Sequence, residues 1–272
     1  MTTLIIIVLI IGAGLYFGKK WLDGSWDKDQ KLIDELEAQH KVSKDKLRML
    51  AFGAIMPFDD HDATRVLNSI KTNEKITPGL GEYWNIYDGK SAKAKLDLLL
   101  TEGSGREANE TLADLRKYKD YKEFAKANPE AVADEAGAEF HKDFYDSAKF
   151  LIDSAKSVST VFDDKSAPKT ALPIDEQAIL GVKSLTAWDY GRIVSVAKLC
   201  YTCGYLKEDE AWDYIKQASD KASKEYKSWQ EFGLSYIYGR FLAYEPNYHS
   251  IYWSVYRLLA ETNSIWNEVN FK

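Results

Sequence analysis

The sequence has little cysteine and carries no excess of positive charge. Its 272 residues include only two cysteines, so disulfide bonds cannot hold the fold together and stability has to come from burial. Lysine and arginine number 36 against 42 aspartates and glutamates, a net charge of -6 that removes the main attraction to phosphate backbones. We therefore expect no nucleic-acid partner. With 45% hydrophobic and 29% charged residues, the composition excludes a disordered chain and a polytopic membrane protein, and the length suits one large domain.

The common signatures of enzyme and cofactor sites are missing as well. No G-x-x-x-x-G-K-S/T, G-x-G-x-x-G, G-x-S-x-G or H-E-x-x-H pattern occurs, and the four histidines have no i, i+4 histidine partners that could share a metal. One C-x-x-C pair, Cys200 and Cys203, falls in the last turn of a predicted helix, where the helix dipole disfavours a thiolate. We expect structural cysteines, no metal, no cofactor and no identifiable catalytic residue.

Apolar residues are concentrated at the N-terminus. Residues 4–18 carry no charge, and as a helix they would extend about 22 Å. Thr2 and Thr3 at one end, and snorkelling of Lys19 and Lys20 at the other, lengthen this span to the ~30 Å of a hydrocarbon core. Residues 1–22 are therefore predicted to be a transmembrane anchor, followed by a polar linker over residues 23–29. A cleaved signal peptide and a buried core helix are the alternatives, although a basic n-region and a small-residue cleavage site are both missing. The lysines after the span favour a cytoplasmic domain.

Residues 30–272 show apolar residues at helical spacing, and no segment has the period-2 alternation of a strand, so the predicted fold class is all-α. The expected domain is a multi-helix globular one preceded by the single transmembrane helix, with a possible subdomain boundary at residues 163–173. The predicted helices are as follows: one from Ile33 to a break at Pro57, one over residues 62–70, one from Ala92 that ends at Gly103 and Gly105, one starting at Asn128, and four over residues 186–203, 207–226, 228–244 and 248–266. Residues 72–80, with Pro78 and Gly79, are predicted to be a loop.

A near-repeat in the C-terminal helices supplies the candidate binding residues. Each copy combines a tryptophan, an acid, and a glycine followed by an arginine; the selected residues are Trp188, Asp189, Arg192, Trp229, Glu231, Tyr238 and Arg240. A glycine in the middle of a helix costs about 1 kcal/mol relative to alanine, so Gly191 and Gly239 predict helices that cross closely. The residues form either a structural charge network under that crossing or a polar pocket that binds an anion or performs acid–base chemistry.

The C-terminal helices also contain many aromatic side chains. Eight of them lie between Tyr236 and Tyr256, too many for a single core stripe. Packing in the core explains most of them, and tyrosine or tryptophan at the surface would suit a protein interface.

Two blocks of the sequence resemble the bacterial domain-of-unknown-function family 1266. The first is Tyr83-Trp84-Asn85-Ile86-Tyr87-Asp88 followed by Ala92, Leu96, Leu98-Leu99-Leu100, Glu102 and Gly103. The second is Ala187-Trp188-Asp189-Tyr190-Gly191-Arg192, then Gly204-Tyr205-Leu206, Glu208 to Trp212, Ser228-Trp229, Phe232, Ser235-Tyr236 and Gly239-Arg240. The resemblance covers about residues 47–244 and implies a helical fold with a shared surface, to which the N-terminal anchor is an addition. It implies no catalytic residue.

These observations favour a non-enzymatic, single-pass protein of the bacterial inner membrane whose cytoplasmic helical domain binds a protein partner. An inhibitor or immunity protein and a membrane-held adaptor are the concrete forms of this hypothesis. The alternative is an enzyme or a receptor for a small anionic ligand, in which Asp189, Arg192, Glu231 and Arg240 would line the pocket.

Overall fold

The computed structural model describes residues 25–103, 105, 109, 113, 117–139, 141–142, 145–146, 181–243 and 249–272. Every regular element in these ranges is helical, which confirms the all-α fold class. The α-helices are α1 (Ser25–Gln39), α2 (Lys44–Ala51), α3 (Ile55–Asp59), α4 (Asn73–Trp84), α5 (Gly89–Glu102), α6 (Tyr121–Ala127), α7 (Ala187–Thr202), α8 (Glu208–Glu225), α9 (Trp229–Ala243), α10 (His249–Ala260) and α11 (Ile265–Glu268). A short 3-10 helix, Pro129–Val132, follows α6.

Helix α7 lies at the centre of the domain. It packs against α3, α5, α8 and α9, and nearly all of its residues are buried. A helix that is covered on all sides cannot show a one-sided apolar stripe, so α7 carries buried polar residues among its apolar ones. Asp189, Arg192 and Lys198 are each less than 5% exposed. These three side chains therefore need partners inside the protein.

The two mid-helix glycines mark the crossing of α7 and α9, as the sequence predicts. A Cβ atom on Gly191 of α7 would overlap the Tyr236 ring of α9 and lie 3.2 Å from the Phe52 carbonyl oxygen. A Cβ atom on Gly239 of α9 would lie 2.8 Å from the Trp188 Cβ of α7. Each helix thus supplies the glycine that lets an aromatic residue of the other approach its backbone.

The N-terminal half differs from the predicted pattern. The expected single helix from Ile33 to Pro57 is wrong, because α1 ends at Gln39 and α2 begins after Ser43, whose side chain accepts from the Lys46 N–H. Pro57 lies within α3, in the first turn of a helix, where its missing N–H has no intrahelical partner to lose. Helix α1 begins at Ser25, inside the predicted linker over residues 23–29.

The predictions for residues 62–70 and 72–80 are both wrong. Residues 62–70 form no helix, because the Asp62 carboxylate closes a loop by accepting from Ala63 N–H, Ile70 N–H and the Ser69 hydroxyl at 2.7, 2.9 and 2.6 Å. Residues 72–80, predicted as a loop, belong mostly to α4, with Pro78 inside the helix. Burial of Ile76, Leu80 and Gly81 on one face of α4 outweighs the hydrogen bond that the proline removes.

The C-terminal helices agree better with the predicted pattern. Helix α5 ends at Glu102 with Gly103 as its C-cap, and α7, α8 and α9 follow the predicted ranges to within one residue. The predicted helix over residues 248–266 is divided, because the Ser264 side chain caps α11 by accepting from the Asn267 N–H. The predicted start at Asn128 is the start of the 3-10 helix.

The predicted anchor at residues 1–22 and the boundary at 163–173 lie outside the described residues. Among the helices that the structure describes from Ser25 onward, none combines the length and the apolar character needed to cross a membrane.

Candidate functional site

The sequence-predicted pair Asp189 and Arg192 forms a buried ion pair on α7. Asp189 is 2% exposed and Arg192 4% exposed, and the Asp189 Oδ1 atom accepts from the Arg192 Nη2 group. The other carboxylate oxygen, Oδ2, accepts from the Gly105 backbone N–H at 2.9 Å. Both oxygens of the buried carboxylate are therefore paired, which a charge in the protein interior requires.

The segment after α5 lies directly on this ion pair. A Cβ atom on Gly103 would overlap the Asp189 carboxylate, and a Cβ atom on Gly105 would lie 2.9 Å from Asp189 Oδ2 and overlap the Leu185 carbonyl group. Only glycine lets the backbone come close enough for the Gly105 N–H to reach the carboxylate. Gly103 and Gly105 therefore pack directly against Asp189, although they are distant from it in sequence.

An indole ring connects the pair to a second arginine. The Arg192 guanidinium carbon lies 4.6 Å from the centroid of the Trp188 ring and 5.7 Å from that of Trp84, while the Arg240 guanidinium carbon lies 5.5 Å from the Trp188 ring. Tyr236 contacts Trp188 edge to face, with ring centroids 4.9 Å apart. We call Trp188, Asp189, Arg192, Tyr236 and Arg240 the Trp188 cluster. Cation–π contacts of this kind strengthen when water is excluded.

Helices α3 and α10 add a carboxyl group beside the cluster. Asp59, at the end of α3, accepts from the Ser254 hydroxyl of α10 at 3.0 Å. Burial raises the pKa of the Asp59 carboxyl above its ordinary value; the hydrogen bond from Ser254 opposes this and the neighbouring Asp60 adds to it. Burial also raises the pKa of the fully buried Tyr236, with Arg192 and Arg240 opposing. Within the described part of the chain, the Tyr236 hydroxyl makes no hydrogen bond.

Trp229 and Glu231 do not join the Trp188 cluster. Trp229 stacks on Trp266, with ring centroids 5.2 Å apart, and donates its indole N–H to the Val269 carbonyl. Glu231 accepts from the Lys227 N–H at 2.8 Å in the first turn of α9. It precedes Arg240 by nine residues, which is about 13 Å along a helix. Tyr238, also 2% exposed, is part of the core. The structure thus brings together Trp188, Asp189, Arg192 and Arg240, and places the remaining candidates elsewhere.

Among the residues whose burial the structure describes, the most exposed aromatic side chains lie outside the C-terminal helices. On α10, Tyr252 is buried and Trp253 and Tyr256 are half-buried. Tyr83 and Tyr87, by contrast, are 72% and 65% exposed. Both tyrosines belong to the family-like block, and the sequence pattern does not show their exposure, because exposure depends on how α4 and the following turn pack against the core.

The turn that carries these tyrosines has a defined backbone. Asn85 ends α4 in the left-handed region, with φ 54°, and Asp88 caps α5 by accepting from the Ser91 N–H at 2.8 Å. The Tyr87 hydroxyl donates to the Gly81 carbonyl at 3.2 Å. We call Glu82, Tyr83 and Tyr87 the α4–α5 turn surface.

The sequence comparison places this geometry in a family. The chain matches the family model described as "Protein of unknown function (DUF1266)" over residues 79–271, more than half of its length. The chain belongs to the DUF1266 family. Comparisons with curated proteins and with solved structures found no match. The matched range includes the Trp188 cluster and the α4–α5 turn surface, and α1, α2 and α3 of this DUF1266 chain precede it.

One buried charge in the DUF1266 range escaped sequence reasoning. Lys198 of α7 is 3% exposed and donates from Nζ to the Ala63 carbonyl, which fixes the loop closed by Asp62. Burial lowers the pKa of Lys198, although Asp62 and Glu37 oppose that effect. The sequence signal that could have identified Lys198 is its position as the single charged residue between Ile193 and Cys200.

The two cysteines are free thiols at the end of α7. Cys200 is buried and Cys203 half-buried, and burial raises the pKa of Cys200 to about 12. Burial raises the pKa of Cys203 as well. A raised thiol pKa suits apolar packing and opposes the thiolate chemistry of redox pairs. Among the described residues, no group of three or more histidine, cysteine or acidic side chains is arranged to hold a metal ion.

Proposed function

We propose that this DUF1266 protein is a membrane-anchored helical domain that binds another protein through the α4–α5 turn surface. The observation that carries the proposal is the exposure of Tyr83 and Tyr87. Among the described residues, four large hydrophobic side chains are exposed, and these two tyrosines are the most exposed of the four and lie within one five-residue stretch. Tyrosine is enriched at binding surfaces because it buries a large area at a small entropic cost.

The backbone beneath these side chains supports the proposal. Trp84, between the two tyrosines in sequence, is half-buried and contacts Arg192 of the Trp188 cluster. The turn is closed at Asn85 and capped at Asp88, so a partner would meet side chains that are already positioned. Preorganised groups lose less entropy on binding, which favours affinity.

The buried pair on α7 gives less support to the enzyme or small-ligand alternative. Asp189 pairs with Arg192 and with the Gly105 N–H, and Glu231 caps a helix start. The same contacts suit a scaffold that fixes α5 and α7 under the binding surface.

The anchor is the second part of the proposal. Residues 1–22 would hold the chain in a bacterial inner membrane, with the helical domain in the cytoplasm, as an inhibitor, immunity or adaptor protein. Removal of residues 1–22 should release the chain from membranes washed with alkaline carbonate. Retention of the shortened chain, or a reporter fusion that places the C-terminus in the periplasm, would contradict this part.

Site-specific photo-crosslinking in living cells tests the binding surface. The full-length chain would carry a photoreactive phenylalanine at Tyr83, with the exposed Lys221 of α8 as the matched control position. We expect a discrete crosslinked band from position 83 that position 221 does not give. No band from positions 83 and 87, or equal bands from position 221, would overturn the proposal.

A further inference from the structure

Helix α1 buries little of its surface against the rest of the domain. Of its side chains from Asp27 to Gln39, none is buried, and Leu32 is 49% exposed. The face turned towards the domain consists of half-buried residues at helical spacing, namely Asp29, Ile33, Leu36 and Glu37. A helix of 15 residues is only marginally stable by itself in water, so α1 depends on its contacts with the domain.

One carboxylate supplies the polar part of those contacts. Glu37 Oε1 accepts from the Thr64 N–H and from the Arg65 N–H, both at 3.0 Å, and Glu37 Oε2 lies 3.6 Å from the Arg65 Nη1 group. Among the side chains from Asp27 to Gln39, only that of Glu37 hydrogen-bonds to a described residue outside α1. Two successive backbone N–H groups beside a guanidinium form an anion-binding site. We call this site the Thr64–Arg65 receptor.

The domain builds the Thr64–Arg65 receptor from contacts that do not involve α1. The Arg65 Nε group donates to Glu268 of α11 at 2.9 Å, and its Nη2 group donates to the Asn263 carbonyl. On the other side of the receptor, the Ala63 carbonyl accepts from Lys198 of α7. The receptor is therefore fixed by α7 and by the C-terminal segment, and its geometry does not depend on α1.

We infer that α1 is an arm that docks reversibly on the domain, held by the Glu37 carboxylate in the preformed Thr64–Arg65 receptor. Undocking exposes little apolar surface, because no side chain of α1 from Asp27 to Gln39 is buried. Segments with few buried apolar contacts open at a lower free energy than the core. Helix α7, which is buried on nearly all sides, should open only when the whole domain unfolds.

Reversible docking has a consequence for the position of the domain. If residues 1–22 form the proposed anchor, the docked α1 holds the helical domain at a set orientation to the membrane. Undocking lets the domain turn about residues 40–43, which connect α1 to α2. This consequence rests on the proposed function, whereas the docking itself does not.

Hydrogen–deuterium exchange of the purified full-length chain, measured by mass spectrometry of its peptides, tests the docking. Glu37→Ala removes the carboxylate without lowering helix propensity, since alanine is the best helix former. We expect the α1 peptide to exchange about tenfold faster, the effect of losing a hydrogen bond to a charged group, and the α7 peptide to stay unchanged. In the peptide over residues 62–70, the amides of Thr64 and Arg65 should lose protection and the others should keep it.

The matched control is Glu35→Ala, the same substitution at an exposed position of α1. Glu35 lies 3.8 Å from Lys31 in an i, i+4 ion pair, so its loss should accelerate α1 exchange by about twofold at most. Equal acceleration for the two variants, or none for Glu37→Ala, would overturn the inference, because other contacts would then hold α1. Faster exchange of α7 or of the whole 62–70 peptide in Glu37→Ala would also overturn it, because α1 would then be an integral part of the core.

This exchange measurement requires neither a membrane nor a partner. Unchanged exchange of α1 in Glu37→Ala would end the docking inference and leave the anchor and the binding surface as proposed. Membrane retention of a chain without residues 1–22 would end the anchor proposal, and faster α1 exchange in Glu37→Ala would still support docking.

Discussion

The Trp188 cluster and the α4–α5 turn surface adjoin each other through Trp84, yet their aromatic side chains have opposite environments. In the Trp188 cluster, indole and phenol rings are buried against two guanidinium groups of the same chain. At the turn surface, the phenol rings of Tyr83 and Tyr87 are mostly exposed. Aromatic residues therefore stabilise the fold where they pack against charged groups of the same chain, and they remain available to a partner where they are exposed.

The largest expected effect comes from breaking the buried ion pair. Asp189→Ala removes the carboxylate partner of Arg192 and the acceptor of the Gly105 N–H, so a buried guanidinium loses its counter-charge. We expect the free energy of unfolding to fall by about 3–5 kcal/mol in urea titrations followed by circular dichroism. Tyr83→Ala, on the exposed side of the comparison, should change it by no more than about 0.5 kcal/mol. Similar losses for the two variants would remove the distinction drawn between the regions.

Part of this architecture follows from the sequence because its causes are local. The boundaries of α7, α8 and α9 could be placed from Gly204, Lys207 and Ser228, and α8 also has its buried residues on one face. The α7–α9 crossing follows from Gly191 and Gly239, since the cost of a mid-helix glycine is offset where another helix packs closely against it.

The rest depends on contacts between residues that are distant in sequence. The loop closed by Asp62 has a composition compatible with a helix, and contacts with distant residues help to hold it in another conformation, among them Glu37 of α1 and Lys198 and Thr202 of α7. Helix α4 tolerates Pro78 because one face of the helix is buried. The near-repeat selected Glu231 together with Asp189, but it could not show that Glu231 caps the start of α9, about two and a half turns before Arg240. Exposure of Tyr83 likewise follows from packing.

The second prediction tests the close approach of the α5 end to α7. Gly103→Ala places a methyl group where the Asp189 carboxylate lies, so the ion pair or the turn has to shift. We expect the free energy of unfolding to fall by about 1–3 kcal/mol, the usual cost of overpacking. Gly181→Ala is the matched control, because a Cβ atom there meets no other atom within 4 Å and the position is helical. It should be neutral or stabilise the protein by up to about 1 kcal/mol. If both variants had the same effect, the steric argument would fail.

The smallest expected effect is a change in the pH dependence of the free energy of unfolding when Asp59, beside the Trp188 cluster, is replaced. Burial raises the pKa of Asp59, so the folded state binds this proton more tightly than the unfolded state. The stabilisation from protonated Asp59 is complete below the ordinary carboxyl pKa of about 3.9 and disappears as the pH rises through the folded-state value. Asp59→Asn keeps an oxygen to accept from Ser254 and carries no charge at any pH. Relative to the original chain, its free energy of unfolding should therefore improve as the pH rises from 4 to 7.

Urea titrations of both chains at four pH values between 4 and 7 measure that difference. Glu82→Gln is the informative comparison, because its carboxyl is exposed at the turn surface and its removal leaves the half-buried Asp59 unchanged. The difference between Asp59→Asn and the original chain should depend on pH more strongly than the difference for Glu82→Gln. A difference for Asp59→Asn that stayed constant across this range would mean that the carboxyl is solvated well enough to ionise normally. Asp59 and its neighbours on α9 and α10 would then be solvent-accessible, like the α4–α5 turn surface. The buried part of the Trp188 cluster would end at Tyr236.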